Sequence, residues 1–394
     1  MKSSCKLSAF SFVDLNGGFA AWINVNHLWD SFSAYNPNPT VGMWDGNILN
    51  CPTSLVPPPR LPTPHIPQGP TFGFMSSTRC YLKTRFREEV GKLLEIVELR
   101  LTFKYSKMTF WTHLIRFIAV EDSQVHLGQL VDTSRDVGRD SVEGVEIAAN
   151  VIEGTIFDGR VTDEIMHVKQ ILAPVTQDQC TYIRCLGLNY MDHAEEANLE
   201  LPKAPVLFTK PRTALAGPYP ATINIPKCAQ DDTSDYEAEL CLVIGKSGRD
   251  IPEEQALEYV LGYTASNDVS ARTMQMLTGQ WSFSKGLDGS CPIGPVLVAT
   301  SVIEDPQTLS IQAIHNGATV QDGHTKDMIF NIRKQISYLS QGTTLEAGTI
   351  FLTGTPAGIG YFRQPRVVLR DGDEISVKID QIGTLVNKVR YESR

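Results

Sequence analysis

A strand-rich α+β fold, rolled or closed rather than doubly wound, is what this 394-residue sequence predicts. Three observations carry it. From Met108 onward, runs such as His113–Val120 and Val125–Val131 alternate apolar and polar residues between turn formers, the period of a half-buried strand. The C-terminal quarter repeats that texture in Pro295–Ala299, Leu309–His315, Thr349–Thr353 and Glu374–Ile379, punctuated by the turn sequences Asn316-Gly317 and Asp371-Gly372-Asp373. No G-x-G-x-x-G leads a strand into a helix, which removes the dinucleotide-binding reading. Helical spacing is confined to short stretches at Tyr190–Leu199, Glu253–Tyr259, Ser270–Leu277 and Thr325–Leu339.

The chain divides into three parts. Residues 1–107 form an extension without recognisable chemistry. Its segment Ser33–Gly73 holds Pro57, Pro58, Pro59, Pro62, Pro64 and Pro67, which cannot support regular ladders and predicts disorder. Beyond it, Phe86, Val90, Leu93, Leu94, Val97 and Leu101 recur at helical steps within Thr78–Lys107. A small β-rich domain is expected over 108–179, and the remaining 180–394 carry every motif that points to chemistry.

Composition narrows the function. A formal charge of -9 and no strongly basic run argue against a nucleic-acid surface, since phosphate binding needs clustered Lys and Arg. Small molecules and further copies of the chain are the expected partners. No stretch reaches the roughly 18 apolar residues that span a bilayer, and Asp14 and Asn16 interrupt the apolar run near the N-terminus. A cytoplasmic protein is expected, with mitochondrial targeting as the alternative. Cys5, Cys51, Cys80, Cys180, Cys185, Cys228, Cys241 and Cys291 form no C-x-x-C pair, so they read as ordinary thiols in a reducing compartment.

The sharpest local feature is Asp235-Tyr236-Glu237-Ala238-Glu239-Leu240, leading into apolar Cys241–Ile244. In a strand, Glu237 and Glu239 project from one face about 7 Å apart. Such like charges repel unless solvent or a cation intervenes, and oxygen-only ligands suit Mg²⁺, Mn²⁺ or Ca²⁺ better than zinc. A third acid, Asp268, ends the apolar run Tyr259–Ala265; by itself it reads as the N-cap of the helix that follows, the commoner use of such an Asp.

Taken together, the motifs from Cys185 to Tyr391 resemble the fumarylacetoacetate hydrolase family. They are Gly187-Leu188-Asn189-Tyr190 with Asp192-His193, Phe208-Thr209-Lys210-Pro211, the E-x-E stretch, Asn267–Arg272, Lys285-Gly286-Leu287-Asp288 and Thr353–Gly360. The segment 108–179 is similar to the small N-terminal domain many members carry. The resemblance implies a β-roll catalytic domain, commonly dimeric, in which Glu237, Glu239 and Asp268 hold Mg²⁺ or Mn²⁺. Residues 1–107 lie outside it, as an extension or a misjudged start.

The resemblance also implies roles for single residues. Lys285 lies at the site, to steady a developing oxyanion or shuttle a proton. His193 and Glu196, three residues apart on one side of a short helix, form a water-activating dyad; Glu195 is the alternative carboxylate at a worse spacing. Thr355 contacts a substrate oxygen, and Arg272 and Gln275 are candidates to hold a distal polar group or carboxylate. A cation among three carboxylates leaves open positions for two substrate oxygens and would stabilise the enolate formed as a bond breaks. Hydrolysis of a C–C bond in an acylpyruvate-like or 1,3-diketo acid is the expected activity. Oxaloacetate tautomerisation or decarboxylation is the alternative, and a non-catalytic metal-binding relative the third.

Overall fold

The structure is a computed structural model that describes residues 10–15, 19–24 and 111–393. The expected disorder at Ser33–Gly73 and helix within Thr78–Lys107 lie outside the described residues. Phe10–Leu15 and Phe19–Asn24 pair as an antiparallel hairpin, an element the sequence reading did not anticipate.

Residues 111–393 are built on strands. An eleven-stranded sheet runs through 125–130, 148–153, 160–172, 113–119, 291–299, 260–267, 238–244, 350–352, 183–187 and 206–210, with Leu215–Ala216 paired to its middle. Because His113–Ala119 also pairs with Val125–Leu130, the first four strands close on themselves. A second, five-stranded sheet has the order 222–225, 383–391, 374–379, 310–315 and 318–324. The strand-rich expectation, with few helices, holds. Leu114 and His113 pair with Leu297 and Val298, so the large sheet runs across the boundary expected near residue 179.

Strand Ala238–Ile244 lies between Val260–Asn267 and Ile350–Leu352 and is buried at all seven positions. Its side chains alternate between two apolar clusters: Ala238, Leu240, Leu242 and Ile244 enter one, Cys241 and Val243 the other. That period of two carries Glu237 and Glu239 onto the face of Cys241 and Val243. The turns follow their sequences. Asn316 and Gly317 both take positive φ, 49° and 82°, as a two-residue hairpin of the primed type requires.

The helices are shorter than their spacing suggested. Within Thr325–Leu339 only Ile332–Leu339 is α-helical, because the Asn331 side chain accepts from the Lys334 N–H and starts the helix there. Glu253–Tyr259 winds as a 3₁₀ helix. Met191–Glu196 stops before Asn198, which takes a positive φ of 52°.

Candidate active site

Glu237 and Asp268 are thirty-one residues apart in sequence, yet the antiparallel register brings them together. Ala238 pairs with Asn267 and Glu239 with Ser266, which sets Glu237 opposite Asp268, and the Asp268 N–H donates to the Glu237 carbonyl at 2.9 Å. Asp268 is not an N-cap: Ser270–Ala271 pairs with Ser234–Asp235, and the helix starts only at Arg272, with Ala271 in the N-cap position and no side-chain cap. Oxygens of Glu237, Glu239 and Asp268 all lie within 4.8 Å of one another, and all three residues are buried.

Three cations stand against these acids. Lys285 Nζ lies 2.8 Å from both Glu237 Oε2 and Asp268 Oδ2. It arrives there because its segment runs beside the Asp268 turn, with the Ala271 N–H donating to Ser284 O at 3.0 Å and the Val269 N–H to Ser290 O at 3.1 Å. Arg272 reaches Glu237 Oε1 at 2.7 Å and Asp235 Oδ2 at 2.8 Å. Lys210 Nζ lies 2.7 Å from Asp268 Oδ1.

Charge is unevenly spread as a result. Burial raises the Glu237 carboxyl, but Lys285 and Arg272 outweigh it and hold the group down at about 2. Glu239 is in no ion pair: burial, then the charges of Asp268 and Glu237, outweigh Lys285 and the Gly354 N–H and push it well above the usual carboxylate range. Burial works against the Lys285 ammonium, yet the Asp268 and Glu237 charges outweigh it and raise its pKa. Lys285 is therefore a charged donor rather than a base.

The cluster fits a hard divalent cation. Its donors are all carboxylate oxygens, and Glu239 Oε1 is buried without a hydrogen-bond partner, an arrangement that is costly unless a ligand completes it. With Asp235 included, four buried carboxylates face three buried cations, so with Glu239 ionised the set is one charge negative, and a divalent ion would turn it into one suited to an anionic substrate. A proton on Glu239 competes with the ion. Mn²⁺ affinity should thus rise with pH until Glu239 ionises in the metal-free fold, and below that point calorimetry in buffers of different ionisation enthalpy should show about one proton released per ion. An affinity independent of pH, with no proton release, would contradict this electrostatic picture.

Beside the carboxylates, His193 Nδ1 lies 3.2 Å from Glu196 Oε2. Glu196, not Glu195, is the partner, and it is steadied by the Gly358 N–H at 3.0 and 3.1 Å to its two oxygens. Asp192 docks the same short helix by accepting from the Ala357 N–H at 3.2 Å. The imidazole is near enough to Glu237 to help hold that carboxyl down. Phe362 faces it, with ring centroids 6.2 Å apart.

The turn Thr353–Gly360 is stitched to the E-x-E strand. The Gly354 N–H donates to Glu239 Oε2 at 2.6 Å, Thr353 Oγ1 to Leu240 O at 2.8 Å and Thr355 Oγ1 to Ala238 O at 2.9 Å. Gly354 has φ of 95°, and a Cβ there would come within 2.6 Å of the Asn189 side chain, so only glycine fits.

Two candidates for substrate contact are already engaged. Thr355 Oγ1 also accepts from Gln321 Nε2 at 2.7 Å, leaving one lone pair for any ligand. Arg272 is 3% exposed and, besides its two carboxylates, donates to Gln275 Oε1 at 2.9 Å. Its guanidinium serves this chain's own acids, and Gln275, half-buried, is the outer member of that chain.

Three residues escaped the sequence reading. Asp235 accepts from the Gly360 N–H at 2.8 Å and the Tyr361 N–H at 3.0 Å as well as from Arg272, so it ties the glycine-rich turn to the site. Gln321 accepts from the Ala238 N–H at 2.8 Å and donates to Thr355 and Pro356. Lys210 was visible only inside the Phe208–Pro211 motif. No local spacing marked any of them, because each acts through strands remote in sequence.

Comparison with known proteins agrees with this geometry. A profile of the fumarylacetoacetate (FAA) hydrolase C-terminal domain matches residues 182–390. The chain is 45% identical over 290 residues to caffeoylpyruvate hydrolase from Neonothopanus nambi, covering 72% of this chain and 94% of that one. It is 44% identical over 221 residues to the mitochondrial oxaloacetate tautomerase fahd2 of Xenopus laevis, covering 56% and 68% respectively. Among solved structures, 2-hydroxyhepta-2,4-diene-1,7-dioate isomerase from Mycobacterium marinum superposes with a TM-score of 0.59 at 31% identity, over 72% of this chain and all of that one. Fumarylacetoacetate hydrolase from Exiguobacterium antarcticum gives 0.56 at 34% identity, over 71% and 100%. The chain belongs to the fumarylacetoacetate hydrolase family and is one of its enzymes.

Proposed function

We propose that the chain hydrolyses an acylpyruvate, taking R–CO–CH₂–CO–COO⁻ and water to a carboxylic acid and pyruvate. The observation that carries this reading is the His193–Glu196 pair, bonded at 3.2 Å beside the buried carboxylate cluster. If Nδ1 donates to Glu196, Nε2 keeps its lone pair and can take a proton from water. Tautomerisation of oxaloacetate needs no attacking water, and there the same pair would move a proton between enol oxygen and carbon instead.

Glu237, Glu239 and Asp268 are the residues that would hold Mg²⁺ or Mn²⁺. Such an ion, when bound, supplies an electrophile for the dioxo acid and offsets negative charge as it develops. The protein's own groups do the rest. Glu196, held by the Gly358 N–H, orients the His193 ring; His193 Nε2 accepts the water proton as oxygen adds to the acyl carbonyl. The C–C bond to the methylene then breaks, its electron pair stays with the pyruvate fragment, and that carbon is protonated. Lys285, kept charged by its carboxylate neighbours, steadies the oxyanion. Phe362 across from His193 offers an aromatic wall for the acyl group, consistent with the caffeoylpyruvate hydrolase relative.

The oxaloacetate tautomerase relatives favour a second reading on the same carboxylates. A parallel absorbance assay on the full chain separates the two: Mg²⁺- or Mn²⁺-dependent loss of acylpyruvates, aromatic ones included, supports hydrolysis. Rapid enol-to-keto conversion of oxaloacetate without acylpyruvate loss supports the tautomerase instead. A homodimer fits the family, and the terminal strand Val206–Lys210, with Val206 and Leu207 exposed, offers an apolar edge for it. No helix among the described residues is long and apolar enough to cross a membrane. The frog and human tautomerases are named mitochondrial, which keeps that compartment beside the cytoplasm as a setting for this chain.

A further inference from the structure

Lys210 ends the strand Val206–Lys210, where Pro211 stops the ladder and turns the chain away. Its side chain and that of Asp268 are both 0% exposed. A lysine ammonium has three N–H bonds to give and none to accept. Around this one stand Asp268 Oδ1 at 2.7 Å, Ser290 O at 2.9 Å, Ser290 Oγ at 3.1 Å and the carbonyl of Lys285. Ser290 Oγ in turn donates to that same Lys285 carbonyl at 2.8 Å. Every acceptor is buried, so the group is a charged strut inside the protein rather than a surface lysine.

The two ends of that strut are functional. Asp268 offers one oxygen to Lys210 and the other to Lys285 Nζ, while Lys210 also grips the Lys285 main chain. We propose that Lys210 is a positioning residue: it joins the Asp268 carboxylate and the backbone of Lys285 and Ser290 into one rigid unit. Both the cation affinity of the carboxylates and the placement of the Lys285 ammonium depend on that unit. This rests on reading Glu237, Glu239 and Asp268 as the cation site, but not on which substrate the enzyme cleaves.

Charge and position push in opposite directions here, which makes the inference testable. As a mere counter-charge, Lys210 repels a divalent ion, and its removal should tighten binding. As a strut, its removal leaves Asp268 Oδ1 buried without the ammonium it pairs with and free to turn away, and binding should weaken. The experiment titrates full-length protein with Mn²⁺, reading free ion by its paramagnetic resonance signal, in wild type, Lys210→Met and Ser290→Ala.

The strut account expects Lys210→Met to weaken Mn²⁺ at least tenfold and to lower kcat, while metal-free thermal unfolding stays cooperative. Ser290→Ala, which keeps the ammonium but loosens its seat, should weaken Mn²⁺ by a few fold. Unchanged or tighter binding in Lys210→Met overturns the proposal. Should that variant not fold, wild-type affinity in Ser290→Ala overturns it. Absence of Mn²⁺ binding in the wild type would sink the cation site itself, a different failure.

Discussion

Replacing Glu239 by Gln should abolish Mn²⁺ binding and, at the same time, make the metal-free protein more resistant to heat at pH values above the usual carboxylate range. The two effects share one cause. Glu239 is buried beside Asp268 and Glu237, and its carboxyl is pushed well above the usual range. A carboxyl whose pKa is raised by folding binds its proton more tightly in the folded than in the unfolded chain. Its contribution to stability is intact below the unfolded pKa, falls as pH climbs toward the folded pKa, and stays lost above it. Glutamine removes that penalty while its amide oxygen can still accept from the Gly354 N–H, now at 2.6 Å from Glu239 Oε2. Thermal unfolding at two pH values, with and without Mn²⁺, checks this. Wild type should gain stability on adding Mn²⁺ and Glu239→Gln should not. A Glu239→Gln protein that is less stable than wild type without metal at high pH would show that the site is not charge-frustrated.

His193→Ala should lower acylpyruvate hydrolysis by about 10²- to 10⁴-fold, the usual share of a positioned general base. Because His193 offers no bond to the three carboxylates, Mn²⁺ affinity should stay within about twofold of wild type. Steady-state kinetics beside a metal titration separates the two readouts. Glu196→Gln should reproduce part of the loss, since Gly358 could still dock the side chain but the ring would lack its negative partner. Full hydrolytic rate in His193→Ala would remove the dyad from the mechanism.

How much of this was legible in the sequence depends on how local each feature is. The E-x-E face followed from strand period alone, and the Asn316-Gly317 hairpin from its dipeptide. Asp268 could not be assigned from its neighbours, because a register linking two strands decides that it faces Glu237 rather than capping a helix. Lys285 and the dyad rested on motif resemblance, and the structure seats Lys285 between Glu237 and Asp268 and bonds His193 to Glu196. Arg272 was read as a candidate to hold a distal carboxylate, and its actual buried partner, Asp235, lies thirty-seven residues away. Lys210 and Gln321 act through contacts between segments remote in sequence. Helix ends were overextended where a single residue, Asn331 or Asn198, interrupts an otherwise suitable spacing.

The most direct test of the central claim is an isotope experiment: full-length protein with Mg²⁺ turning over an acylpyruvate in ¹⁸O-labelled water, the products resolved by mass spectrometry. Hydrolysis predicts one solvent oxygen in the released carboxylic acid, pyruvate as the partner product, and loss of both when the cation is chelated. Enzyme-dependent exchange of the substrate's methylene protons with no cleavage and no labelled acid would contradict the hydrolase account and leave a tautomerase on the same carboxylates.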